Sequence, residues 1–128
     1  MIKNTGEICL LYNLDGDKGR RLRFLMVRMG MRIRVVSKDQ YGLAVGTLAG
    51  MKEVVLKETG CSTEDFQDEM LIMHGLTNKR LDLFLKMMRQ EKIGRINYKA
   101  MLTQTNAQWN SFQLYDELKK EHEAMNGL

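Results

Sequence analysis

The chain of 128 residues has no proline. Stiff Pro-rich linkers, a common mark of a domain boundary, are therefore excluded. Cysteine is almost missing as well. Cys9 and Cys61 form neither a CxxC pair nor a ligand cluster, so a disulfide framework and a zinc module are both excluded. Cys9, inside "ICLLY", reads as a small core residue. No apolar run approaches the roughly 20 residues that a membrane helix needs. The start, "MIKNTGEICLLYNL", places an acid ahead of its apolar run and makes a poor secretory leader. A cytoplasmic protein is expected.

Signatures of chemistry are missing too. "DGDKG" lacks both the GK[ST] of a phosphate loop and the GxGxxG of a dinucleotide site. No G-x-S-x-G, H-E-x-x-H or kinase pattern occurs. No catalytic residue, metal site or cofactor is assigned, and whether the protein is an enzyme stays open. Asp15 and Asp17 follow the first strand, as the acidic pair does in phospho-receivers. The third strand, however, ends in "MHG" without the aspartate a receiver phosphorylates.

What is present is globular. Apolar residues make up 44% and charged residues 28%, close to ordinary soluble domains. The length suits one domain spanning 1–128. The net charge of +4 is uneven. Residues 1–40 carry nine Lys and Arg against four Asp and Glu; residues 41–128 carry eleven against twelve. The excess lies mostly in Lys18, Arg20, Arg21, Arg23, Arg28, Arg32 and Arg34. Aromatics for base stacking are scarce nearby, so a solvated helix face is preferred over a nucleic-acid surface.

The pattern alternates strands and helices. "EICLLYNL" (Glu7–Leu14) is a continuous apolar run, as in a strand buried on both faces. Asp15 or Asp17 can cap the helix that follows, whose stripe is Leu22, Leu25, Met26 and Met29. Gly30 ends it. "RIRVVSK" is the second strand. A short helix is expected near Ala44–Ala49, then a long loop over Lys52–Gln67 with a strand-like "EVVL". "EMLIMHGL" (Glu69–Leu76) is the third strand. Thr77 caps a helix with the stripe Leu81, Phe84, Leu85 and Met88. "RINYKAMLT" (Arg95–Thr103) is the fourth strand. A final helix is expected from Ala107 to Ala124, burying Leu114, Tyr115, Leu118, His122 and Met125.

The two helix stripes superpose at a shift of 59 residues, and each helix leads from one strand to another. The βαβ unit is therefore used twice. The expected fold is α/β: a small, mostly parallel four-stranded sheet, helices on both faces, in the flavodoxin-like order 2-1-3-4.

Ligands of such sheets bind beyond the carboxyl ends of the strands. The candidates there are Asn13, Asp15, Lys38, His74, Thr77, Thr103, Thr105, Asn106 and Trp109. His74 can take a proton or a phosphoryl group, yet a strand-end histidine bonded to a loop is the simpler reading. "LTQTNAQW" supplies two hydroxyls and two amides, and helix capping is preferred over binding. Phe24, Leu83 and Met87 lie opposite the buried stripes and are candidates for an interface, in a homo-oligomer or with a partner protein.

The stretch "DEMLIMHGLTNKRLDLFLKMMRQEKIGRINYKAMLTQTNAQWNSFQLYDELKKEHEAM" resembles the bacterial family catalogued as domain of unknown function 3783. The resemblance covers about Asp68 to Met125. It is carried by "HGLT", "YKAMLTQTN..W" and "ELKKEHEAM". It implies a compact α/β domain and brings no activity, cofactor or catalytic residue. The leading expectation for function is a non-enzymatic module for self- or partner association. A domain binding a small molecule or anion at the strand ends comes second, and nucleic-acid binding through the first helix third.

Overall fold

In a computed structural model of the chain, the structure describes residues 6–57 and 63–126. Four strands form one sheet: β1 (Ile8–Tyr12), β2 (Arg32–Val35), β3 (Met70–His74) and β4 (Tyr98–Met101). Four α-helices accompany them: α1 (Asp17–Arg28), α2 (Val45–Leu48), α3 (Asn78–Gln90) and α4 (Ser111–Asn126). The strand order is β2-β1-β3-β4, as expected.

The directions correct the expectation of a mostly parallel sheet. β1 is parallel to β2, and β3 is parallel to β4. The two pairs meet antiparallel, with Ile8 opposite His74, Leu10 opposite Ile72 and Tyr12 opposite Met70. The sheet is therefore mixed. The cause is where the chain starts β3. Asn13, in the left-handed region at φ 60°, donates from Nδ2 to the carbonyls of Phe66 and Asp68 at 3.0 and 2.9 Å. Asn is among the residues that tolerate this region best. The start of β3 is thus tied to the end of β1, and the two strands must run in opposite directions.

Both central strands are covered on both faces. Cys9, Leu11, Leu71 and Met73 pack under α1 and α3, with Leu22, Leu25, Met26, Phe84 and Met88. Ile8, Leu10, Tyr12, Met70 and Ile72 pack on the other face with Val45, Leu48, Phe66 and Leu114. That two-sided burial is why "ICLLY" and "MLIM" show no alternation. Phe66 stacks on Tyr115 and on Tyr41, with ring centroids at 4.1 and 4.8 Å. Tyr12 Oη and Ser111 Oγ share a 2.7 Å hydrogen bond beneath them.

Several local expectations shift. The N-cap of α1 is Gly16, so neither Asp15 nor Asp17 caps it; Asp17 is the first helical residue. "EVVL" forms no strand. α4 starts at Ser111 rather than Ala107, capped by the Asn110 side chain, which accepts from Gln113 N at 2.9 Å. Met125 is exposed instead of buried. Thr77 caps α3 as expected, accepting from Arg80 N at 3.1 Å. The loop at 52–67 falls partly outside the described residues, as does Cys61.

The two halves are related by a pseudo-two-fold axis through the β1–β3 pairing. α1 is C-capped by Met29 with Gly30 at φ 77°, and α3 by Glu91 with Lys92 at φ 55°. Each end closes with the same two backbone bonds, Gly30 N to Val27 O and Met31 N to Met26 O, Lys92 N to Arg89 O and Ile93 N to Met88 O. Each end is also finished by an arginine from the other helix. Arg80 donates to the Met29 carbonyl at 2.6 Å, and Arg21 donates to the carbonyls of Glu91 and Lys92. β1 and β3, and the helix ends of the two halves, superpose at a shift of 62 residues rather than the 59 read from the stripes. On the opposite face Ala44 bridges Asn110 across the axis.

Arg80 also pairs through two hydrogen bonds, at 2.6 and 2.9 Å, with the buried carboxylate of Glu7. Arg80→Ala removes a charge-assisted pair and a helix-end contact. It should cost about 2 kcal/mol or more, against about 1 for Arg21→Ala, whose acceptors are neutral carbonyls. Urea denaturation of both variants checks the order.

Candidate functional site

Because the two strand pairs run oppositely, the carboxyl ends of β1 and β2 lie at one edge of the sheet and those of β3 and β4 at the other. Asn13, Asp15 and Lys38 are at the first edge. His74, Thr77, Thr103, Thr105, Asn106 and Trp109 are at the second. Four residue steps along β1 separate Ile8, beside His74, from Tyr12, which is about 13 Å at 3.3 Å per residue. These residues therefore form no common pocket. Only the second group holds members side by side.

Within that group the polar atoms are spent on the backbone. Asn106 Oδ1 accepts from Thr103 N at 2.7 Å, Thr103 Oγ1 accepts from Asn106 N at 3.0 Å, and Asn106 Nδ2 donates to Met101 O at 3.1 Å. "LTQTNAQW" is a reciprocal cap around the 3-10 turn at Asn106–Gln108. Thr105 is exposed, and its side chain caps nothing. Trp109 is half-buried against the core, and its carbonyl accepts from Val45 N at 2.8 Å. Asp15 and Lys38 are exposed, and His74 is half-buried. Cys9 is buried, and burial and the Glu7 carboxylate push its thiol up to about 12, so it carries no thiolate at neutral pH. Among the described residues no three His, Cys, Asp or Glu side chains converge as a metal site would need, and no helix is long and apolar enough to cross a membrane.

Most of the basic excess of the first 40 residues is likewise engaged. Arg20 pairs with Asp17, Arg28 with Glu91, and Lys18 with Glu69 at 2.7 Å. Arg23 donates to Leu14 O at 3.1 Å and Arg34 to Leu48 O at 3.3 Å.

A cluster of cations lies elsewhere. A groove of about 500 Å³ runs between the end of α3 and the start of β4. Its cations are Arg89, Lys92, Arg95 and Lys99, and its floor is Leu85, Met88 and Ile96. Its origin is a break in the internal symmetry. Three residues, Met29–Met31, join α1 to β2; seven, Glu91–Asn97, join α3 to β4. The four extra residues include Gly94, Arg95 and Ile96 of the lining. Gly94 sits at φ +105°, with the Lys18 side chain crossing 3.2 Å from where a Cβ would stand. Lys18 also donates to Arg95 O, and Lys99 donates to Ile96 O, so two lysines pin the turn. The one acid of this segment, Glu91, faces away to pair with Arg28. Asp68 and Glu69 line a smaller depression that shares Arg95 with this groove.

Burial holds the Lys99 ammonium below its ordinary pKa, and the nearby charges of Arg95 and Lys18 add to this. Like charges are thus gathered with no carboxylate in the lining. Sequence reasoning missed all four cations because they lie in the half whose net charge is slightly negative. The available signal was their density: four in eleven residues, 89–99, against one acid.

Phe24 and Leu83 are 63% and 43% exposed on the outer faces of α1 and α3. Met87 does not join them; it is half-buried against the core under the helices.

Residues 69–125 match the model of the family described as Domain of unknown function (DUF3783). The matched stretch is the second half of the fold, from the start of β3 into α4, and contains the whole groove. Comparison with curated proteins and with solved structures finds no match.

Asn13→Ala and Asn106→Ala should each cost about 2 kcal/mol, from the backbone partners left behind, when unfolding is followed in urea. Lys99 supplies a pH test. Its folded pKa is lowered, so above that value the unfolded chain binds the proton more tightly. Stability should rise as pH climbs through the interval up to the ordinary value of 10.5, and the penalty is fully present below it. The difference between wild type and Lys99→Met, measured across that interval, isolates this contribution from the tyrosines, whose titration acts in the opposite sense.

Proposed function

We propose that this protein is a binding domain for an anionic ligand, held in the groove between α3 and β4. The observation that carries this reading is the cluster of Arg89, Lys92, Arg95 and Lys99 around one concavity with no acid in its lining. Bringing like charges together costs free energy unless an anion offsets it. Arg89, Lys92, Arg95 and Lys99 line one concavity, with the Lys99 ammonium also donating to the Ile96 carbonyl. The volume falls within the range of small-molecule sites. The strand-end reading of an anion site thus moves to a different place. Nucleic-acid binding through α1 loses support, because the arginines of that helix are committed to internal acceptors.

Association is a second reading, favoured by Phe24 and Leu83 standing exposed with Val27 on the α1 and α3 layer. Sedimentation equilibrium of wild type and of Phe24→Ser/Leu83→Ser separates it from the first. A dimer lost in the variant supports it, and a wild-type monomer at all concentrations ends it.

The anion reading is tested by titrating isotope-labelled protein with inorganic phosphate while following amide resonances. Shifts should concentrate in residues 88–99 and vanish in Arg95→Gln/Lys99→Gln. Shifts scattered over surface lysines, or none, would contradict it.

A further inference from the structure

The groove has two chemistries, and a simple inorganic anion uses only one of them. We infer that its ligand is an amphiphilic anion: a phosphate or carboxylate head joined to a hydrocarbon body. This rests on the anion reading and narrows it.

Volume is the first argument. About 500 Å³ is room for about sixteen waters at roughly 30 Å³ each, far more than one inorganic ion occupies. The floor is the second. Leu85 is half-buried and presents its side chain to the groove, backed by Met88 and Ile96 of the core under α3. Water over such a floor lacks the two to four polar partners that hold it, so hydrocarbon displaces it at a gain. An inorganic anion bridging the cations would leave this floor wet. Met88 and Leu85 are flexible enough to fit a chain or a flat ring.

Charge placement is the third. The cations come from two sides, Arg89 and Lys92 from the end of α3, Arg95 and Lys99 from the turn and β4. A head group seated between them meets donors from both walls. A helix carboxyl end ordinarily repels an anion. Here the carbonyls of Glu91 and Lys92 are taken by Arg21, and those of Met88 and Arg89 by the amides of Ile93 and Lys92. The partial negative charge of α3 is largely covered.

The four-residue extension that lines this space occurs in one half only; the equivalent joint at Met29–Met31 is three residues long. The site is a product of the asymmetry, not of the repeated framework.

The same chemistry is offered by a free metabolite and by a lipid head group. Calorimetric titration with inorganic phosphate, hexyl phosphate and hexyltrimethylammonium tests the class, and cosedimentation with vesicles of phosphatidylcholine, with and without phosphatidylglycerol, distinguishes the sources. Each buried methylene is worth about fourfold in affinity. Hexyl phosphate should bind at least about tenfold more tightly than inorganic phosphate, since only part of its chain reaches the floor. Leu85→Gln, half-buried and tolerant of a polar replacement, should erase that gain and keep the phosphate affinity. Arg95→Gln/Lys99→Gln should lose both. Binding to phosphatidylglycerol vesicles, lost in the same double variant, assigns the head group to a lipid; binding of hexyl phosphate alone assigns it to a soluble ligand. Equal affinity for hexyl phosphate and phosphate overturns the amphiphile and leaves the anion reading standing. No binding of either, or equal binding of hexyltrimethylammonium, overturns both.

Discussion

The antiparallel pairing of β1 with β3 is the contact on which the rest of the molecule depends. It joins two βαβ units at their buried strands, with Leu10 opposite Ile72 near the centre. It sets α1 and α3 side by side on one face, so that each can finish the other's carboxyl end through Arg80 and Arg21. It also decides where a ligand can sit. An all-parallel sheet would gather four carboxyl ends at one edge; this one divides them.

A molecule built from two similar halves shows its specialisation where the halves differ. α2 has four residues and α4 sixteen. The joint after α1 is a tight turn through Gly30, and the joint after α3 is an extended turn held by Lys18 and Lys99. The second joint gathers four cations over an apolar floor. The repeated features (stripes, helix ends, bridging arginines) serve the frame, while the unrepeated turn lines the cationic groove on which the proposed anion site rests. The family match over residues 69–125 spans the half that carries it.

Much of the frame was legible in the sequence. Leu22/Leu25/Met26/Met29 and Leu81/Phe84/Leu85/Met88 marked two helices and their relation, and the strand order followed. Direction was not legible, for a physical reason. A strand covered on both faces reads as an unbroken apolar run whichever way its neighbour points, so "ICLLY" and "MLIMH" carry no mark of their mutual sense. The deciding contacts, Asn13 with Phe66 and Asp68, are made by backbone carbonyls, which any residue type supplies. The site was hidden similarly. Asn106 and Thr103 advertise polarity that the fold consumes in a cap. Arg89, Lys92, Arg95 and Lys99 look like dispersed surface charge until the turn after α3 brings them together.

The most direct test of this account is the pattern of nuclear Overhauser effects between β1 and β3 in solution. Antiparallel pairing brings the α-protons of alternate opposed residues together across the ladder, with Cα atoms about 4.5 Å apart. Strong α-proton cross-peaks are expected within the set Ile8–His74, Cys9–Met73, Leu10–Ile72, Leu11–Leu71 and Tyr12–Met70. Contacts that instead join Ile8 to Met70 and Tyr12 to His74 would mean a parallel sheet. They would return the carboxyl ends to one edge and contradict the separation of sites on which the account rests.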